Sequence, residues 1–140
     1  TDELLDRSPV VRWLADVRLA QIVQESLLYR HARSYELLAY VVMPSHCHVV
    51  FVPIEDGSAD RPARQAIMQS LKRRTAAECN RVLGRTGRFW QPESFDRVVR
   101  GPGGLENVIT YVERNPVKAG LCDVPEAWRF SSAHTRPPPL

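Results

Sequence analysis

The sequence predicts an α+β sandwich in which helices pack on an antiparallel sheet. Two runs of aromatic and β-branched residues, Tyr35 to Val42 and His46 to Val52, are separated only by Met43-Pro44-Ser45, which is the pattern of a β-hairpin. Segments with apolar residues at helical spacing flank that hairpin on both sides. The resulting order of helix, hairpin, helix, strand, helix combines local antiparallel pairing with helices that cover one face of a sheet. Such a layout usually has a strand before its first helix. Residues 1–15 do not alternate, so the first strand is expected to be missing and the sheet to keep an uncovered edge or gap beside the hairpin.

The first helix runs from Asp16, a plausible N-cap, to about Ala32, with Val17, Ala20, Val23 and Leu27 on its apolar face. After the hairpin, the polar turn EDGSADR leads to Pro62, a residue suited to a first helical turn. Ile67, Leu71, Thr75, Cys79 and Val82 then form a stripe through about Leu83. Phe89-Trp90-Gln91 and Phe95 to Arg100 read as short strands or extended segments split by Pro92. Gly101-Pro102-Gly103-Gly104 breaks the chain, and Leu105, Val108, Ile109 and Val112 mark a third helix that Pro116 should kink or end.

A length of 140 residues suits one domain, expected over 1–140, with 1–15 an irregular N-terminal segment and 135–140 a frayed Pro-rich tail. The longest apolar run, Leu37 to Met43, is far short of the roughly 20 residues of a spanning helix, so no membrane partner is expected. Three scattered cysteines give neither a disulfide framework nor a zinc ribbon, and the N-terminus carries no signal pattern; the expected location is cytoplasmic.

Charge is less ordinary. The formal net charge is only +3, yet seventeen of the nineteen cations are Arg, whose planar fork pairs bidentately with phosphate. Residues 61–100 hold ten cations against three anions, a local +7, while the other hundred hold nine against thirteen, −4. A basic middle of this kind is either a solvated helix face or the footprint of a polyanion binder.

Two local patterns carry chemistry. In Pro44-Ser45-His46-Cys47-His48 the period of a strand puts His46 and His48 on one face and Cys47 on the other. Paired imidazoles are the start of a divalent-metal site, although the pair alone also occurs as ordinary structure. In the last helix, Tyr111 and Asn115 are spaced i, i+4 and fall at about 240° and about 280° on the wheel, on one flank of the apolar stripe. Viewed alone, such a tyrosine is either a packing residue or a nucleophile. Together, two imidazoles and an amide oxygen could hold a metal that polarises a phosphoryl group while a tyrosyl oxygen attacks it. A phenol is mostly protonated at neutral pH, so a metal or a positive field has to favour the phenolate.

Four ordered blocks resemble a known family. YVVMPSHCHVVF is similar to the Met-Pro-x-His-x-His signature of the HUH single-tyrosine transposases, and in particular of the REP-associated tyrosine transposases. SLKRRTAAECNRVLGRTGRFWQPESFDRVVR resembles their basic helix and Trp-Gln-x-x-x-aromatic-Asp-Arg segment, and YVERNPVKAGL and WRFSS resemble their closing motifs. The resemblance implies a ferredoxin-like sandwich and a metal-dependent enzyme that cleaves and rejoins hairpin-bearing single-stranded DNA through a 5′-phosphotyrosine. It also implies that Tyr111 is the nucleophile and that His46, His48 and Asn115 bind Mg²⁺ or Mn²⁺. The partner it implies is single-stranded DNA with REP-like hairpins, and the protein is expected to be a monomer or homodimer. Arg64, Lys72, Arg73, Arg74, Arg81, Arg88, Arg97 and Arg100 would contact the DNA. Trp90 would either stack on a base or pack in the core. Because relatives normally open with a strand before the first helix, two other readings stand beside the transposase: a domesticated or decayed relative that binds nucleic acid without cutting, and a phosphodiesterase that uses water.

Overall fold

The computed structural model describes residues 12–54, 63–98 and 103–140. The turn expected over 55–61, Pro62, Arg100, the Gly101-Pro102 half of the breaker and all but the end of the irregular N-terminal segment lie outside these residues. A short 3-10 turn, Trp13–Ala15, leads into α1, Val17–Arg30. The Asp16 carboxylate accepts from the Arg18 amide at 2.9 Å and caps an otherwise unsatisfied N–H of the first turn. The hairpin consists of β1, Tyr35–Val42, and β2, Cys47–Pro53. Helix α2 covers Ala63–Leu83, β3 is the short strand Phe95–Arg97, and α3 is Leu105–Lys118. Among the described residues no strand precedes α1, and no helix is long and apolar enough to cross a membrane.

The molecule is an α+β fold with helices packed on a three-stranded sheet of order β1-β2-β3. Two expectations need correction. The sheet is mixed, because β3 pairs with β2 in parallel, Cys47 with Phe95 and His48 with Asp96. Helices also cover both faces. Leu19, Val23 and Leu27 of α1 and Leu71 and Cys79 of α2 share one core with Tyr35, Leu37, Tyr40, Cys47, Val49 and Phe51. Val108 and Val112 of α3 share the other with Ala39, Val41, Met43 and Val50. A strand apolar on both sides, as β1 and β2 are, has to be covered twice. A register shift between Leu37 and Ala39 switches the alternation of β1, so Tyr35 and Leu37 before it share a core with Tyr40 and Val42 after it.

The expected open edges are filled. β3 lies beside the hairpin along Cys47–Val49, extended by bonds from Cys47 N to Ser94 O and from Val98 N to Val49 O. On the other edge, Val42 N donates to Phe130 O and Ser132 N to Tyr40 O, so the C-terminal segment runs along β1. Two residues of the Pro-rich end, Arg136 and Pro138, make contacts with the body of the fold. His31 Nδ1 accepts from the Leu37 amide, which leaves Nε2–H to donate to the Pro138 carbonyl at 2.7 Å, and Arg136 bonds Leu38 O and Glu113. Pro116 does not end α3, which continues to Lys118. It lies in the last turn, where its fixed φ suits a helix and only one interior N–H is lost; Gly120, at φ 76°, makes the exit.

Candidate active site

His46 closes the hairpin turn, with Met43 N donating to its carbonyl at 2.7 Å. The strand period then places His46, His48 and Val50 toward α3 while Cys47, Val49 and Phe51 enter the opposite core. Both imidazoles are buried, with ring centres 5.0 Å apart and planes at 72°. Ser45 Oγ is 3.1 Å from His46 Nδ1. Cys47 is fully buried on the far side, and burial pushes its thiol well above the usual range, so it stands apart from the imidazole chemistry.

Helix α3 carries the tyrosine over this face. Val108 and Val112 anchor it on the sheet, and Tyr111, on the flank of that stripe, is 44% exposed with its ring 6.1 Å from that of His48. A helix residue that stands beside a buried ring and is itself exposed can meet both a protein site and a substrate. Asn115, one turn on, is buried, and its Nδ2 donates to the Tyr111 carbonyl at 2.9 Å. That bond fixes the amide and leaves Oδ1 as its acceptor end. Glu113, between them, accepts from Ser132 Oγ and from Arg136, each at 2.6 Å. Sequence reasoning missed this brace, because its partners lie nineteen and twenty-three residues away.

Two buried imidazoles side by side on one sheet face are donors of the kind a divalent ion accepts. Among the described residues no group of three or more His, Cys, Asp or Glu is placed to hold a metal. An amide oxygen such as that of Asn115 is of the hard type that Mg²⁺ and Mn²⁺ accept.

The cations are arranged differently from their order in sequence. Arg64, Lys72, Arg73, Arg74 and Arg81 are exposed along α2, which covers the sheet face opposite His46 and His48. Arg88 is exposed just beyond it, and Arg74 is paired with Glu78 at 2.7 Å. Arg97, beside Val49 in the register, lies over the Phe51 ring and bonds its carbonyl, and burial, then the charge of Arg64, pulls its guanidinium below the ordinary range. The described cations of α2 therefore lie on the face of the sheet away from the His pair and the tyrosine. Trp90 is a further correction: it is buried between Phe89 and Phe95 with its indole N–H donating to Thr75 Oγ1 at 2.8 Å, so it packs in the core and presents no face to a base.

No family model matches the chain, and no solved structure matches it. Two curated proteins do. A protein named as a REP-associated tyrosine transposase in Haemophilus influenzae is 27% identical over 106 residues, and the REP-associated tyrosine transposase of Escherichia coli K12 is 26% identical over 102. The alignments cover 71% and 73% of this chain. These likenesses support the REP-associated tyrosine transposase family for this chain. The chain spans 60% and 56% of the two relatives' own lengths.

Proposed function

We propose that this chain is the catalytic part of a DNA transposase that cleaves and rejoins hairpin-bearing single-stranded DNA. The observation that carries the reading is that Tyr111 and His48, sixty-three residues apart, stand side by side on one face of the sheet with rings 6.1 Å apart. The names of its relatives support the class of reaction.

In this reading the Tyr111 oxygen attacks the phosphorus of the scissile diester, its proton passes to water, and the bond from phosphorus to the 3′ oxygen breaks. The departing strand takes up a proton as a free 3′-OH, and the 5′ end remains on Tyr111. Attack by a 3′-OH on that linkage reverses the process without ATP, because one phosphodiester is exchanged for another. His46, His48 and Asn115 would hold Mg²⁺ or Mn²⁺, which when bound supplies Lewis-acid stabilisation of the phosphoryl charge. Ser45 orients the His46 ring, and Val108 and Val112 fix the distance of Tyr111 from the histidines.

The test is incubation with labelled hairpin-bearing single-stranded DNA and Mn²⁺, followed by a search for a denaturation-resistant adduct. The adduct forms with the native chain and is absent in Tyr111→Phe, which still binds. Binding without adduct under any metal overturns the reading in favour of a non-cleaving nucleic-acid binder. Product released without adduct overturns it in favour of hydrolysis by water.

A further inference from the structure

Between α1 and α2 lies an open cleft of about 530 Å³, within the range of sites that take small organic groups. It opens on the side of the sheet away from His46, His48 and Tyr111. Three arginines line it, Arg30, Arg33 and Arg74, with Tyr29 and the carboxylates Glu25 and Glu78. Glu78 is engaged by Arg74, which leaves Glu25 against the other two cations.

The lining is arranged. Arg30 spans the two helices, donating to Ser26 Oγ at 2.8 Å and to Ser70 Oγ at 3.0 Å, so its guanidinium is held at the floor of the cleft. Arg33 lies over the Tyr29 ring at 4.2 Å from its centre. Tyr29 is 63% exposed and takes no part in either core, so its ring is open to a ligand. Stacked phenol and guanidinium make a flat plate, and flat plates beside fixed cations are what single-stranded nucleic acid uses: bases lie on the plate and the backbone follows the charge. An acidic peptide would use the cations and leave the plate idle.

We infer that this cleft is a second binding site for single-stranded nucleic acid, with an unpaired base on the Tyr29–Arg33 plate and an adjoining phosphate at Arg30. It rests on the reading of the chain as a single-stranded DNA enzyme, and it assigns the substrate a contact behind the sheet, remote from the bond that is cut. The exposed Lys72 and Arg73 continue the positive surface along α2.

The test uses Tyr111→Phe protein, so that cleavage plays no part, and a fluorescent hairpin oligonucleotide carrying an unpaired flank. Tyr29→Ala with Arg33→Ala weakens binding about tenfold. Glu25→Gln strengthens it, a gain that a misfolded variant cannot show. With an abasic flank, Tyr29→Ala has no effect, and an iodouracil in the native flank crosslinks to Tyr29 on irradiation. Unchanged affinity in both the double variant and Glu25→Gln overturns the site, as does equal competition by polyglutamate. Absence of a Tyr111 adduct in the native chain, with these effects intact, overturns the cleavage reading and leaves the cleft in place.

Discussion

The hydroxyl of Ser132, wholly buried, donates to the Glu113 carboxylate at 2.6 Å, two residues from Tyr111. Ser132 also takes the Tyr40 amide at 3.0 Å, so one side chain ties the tyrosine helix to the edge strand β1. Removing it leaves the Tyr40 N–H and the Glu113 carboxylate short of a partner in a buried place. Ser132→Ala is therefore expected to lower stability by about 1–3 kcal/mol in denaturant unfolding. The half-exposed Arg136 holds the same carboxylate and should matter less, by about 1 kcal/mol or under.

The metal reading predicts a graded series. His46→Ala, His48→Ala and Asn115→Ala each lose Mn²⁺ binding measured by calorimetry, whereas Asn115→Asp keeps an oxygen donor and retains it. Ser45→Ala touches no ion directly and weakens binding about tenfold, because it frees the His46 ring to rotate. If Asn115→Ala binds Mn²⁺ like the native chain, the third ligand is another group.

Trp90 tests the core assignment. Trp90→Ala removes a buried indole and the partner of Thr75, and should cost about 3–5 kcal/mol in unfolding experiments. DNA affinity per folded molecule should stay level. A selective loss of DNA binding at unchanged stability would restore the base-stacking role.

Much of this fold was legible in sequence because its signals are local. The Asp16 cap, the two hairpin runs and the stripe of α2 each announce themselves within a few residues, and the structure places β1 at Tyr35–Val42 and α2 through Leu83. The i, i+2 histidines and the i, i+4 pair of Tyr111 and Asn115 were legible for the same reason. What failed was non-local. Nothing between Phe95 and Arg97 says that the strand pairs in parallel, nor that α3 takes the other face of the sheet from α2. Trp90 was ambiguous because an indole serves a core or a base equally well until its neighbours are known, and the cations of α2 were close to the His pair only in sequence.

Those cations make a prediction about salt. If Lys72, Arg73 and Arg74 follow a DNA backbone, neutralising all three flattens the slope of log affinity against log salt by about 2, since each single-strand phosphate contact contributes about 0.7. Arg74 is shared with Glu78, so its single replacement should change the slope least. An unchanged slope in the triple variant removes α2 from the DNA surface.

The buried thiols set an alkaline limit. Burial raises the Cys79 thiol from 9.0 to about 12, with the Glu78 charge adding to it, and burial alone raises Cys47 further. Above pH 9 the unfolded chain has released these protons while the folded chain keeps them, so the unfolded state binds fewer protons and stability must fall as pH rises. The expected slope is about 1.4 kcal/mol per pH unit for each thiol, beginning near pH 9 and continuing for Cys79 until about pH 12. Cys122, half-buried, is also raised, by burial first and then by Asp123, but it is open to reagents; alkylation at pH 8 should modify it first and reach Cys47 and Cys79 only on unfolding. Denaturant titrations between pH 8 and about pH 10.5 measure the slope, and Cys79→Ala should remove its share. A native chain whose stability is flat across that range would mean that both thiols ionise while folded, and therefore that the core around Cys47 and Cys79 admits water.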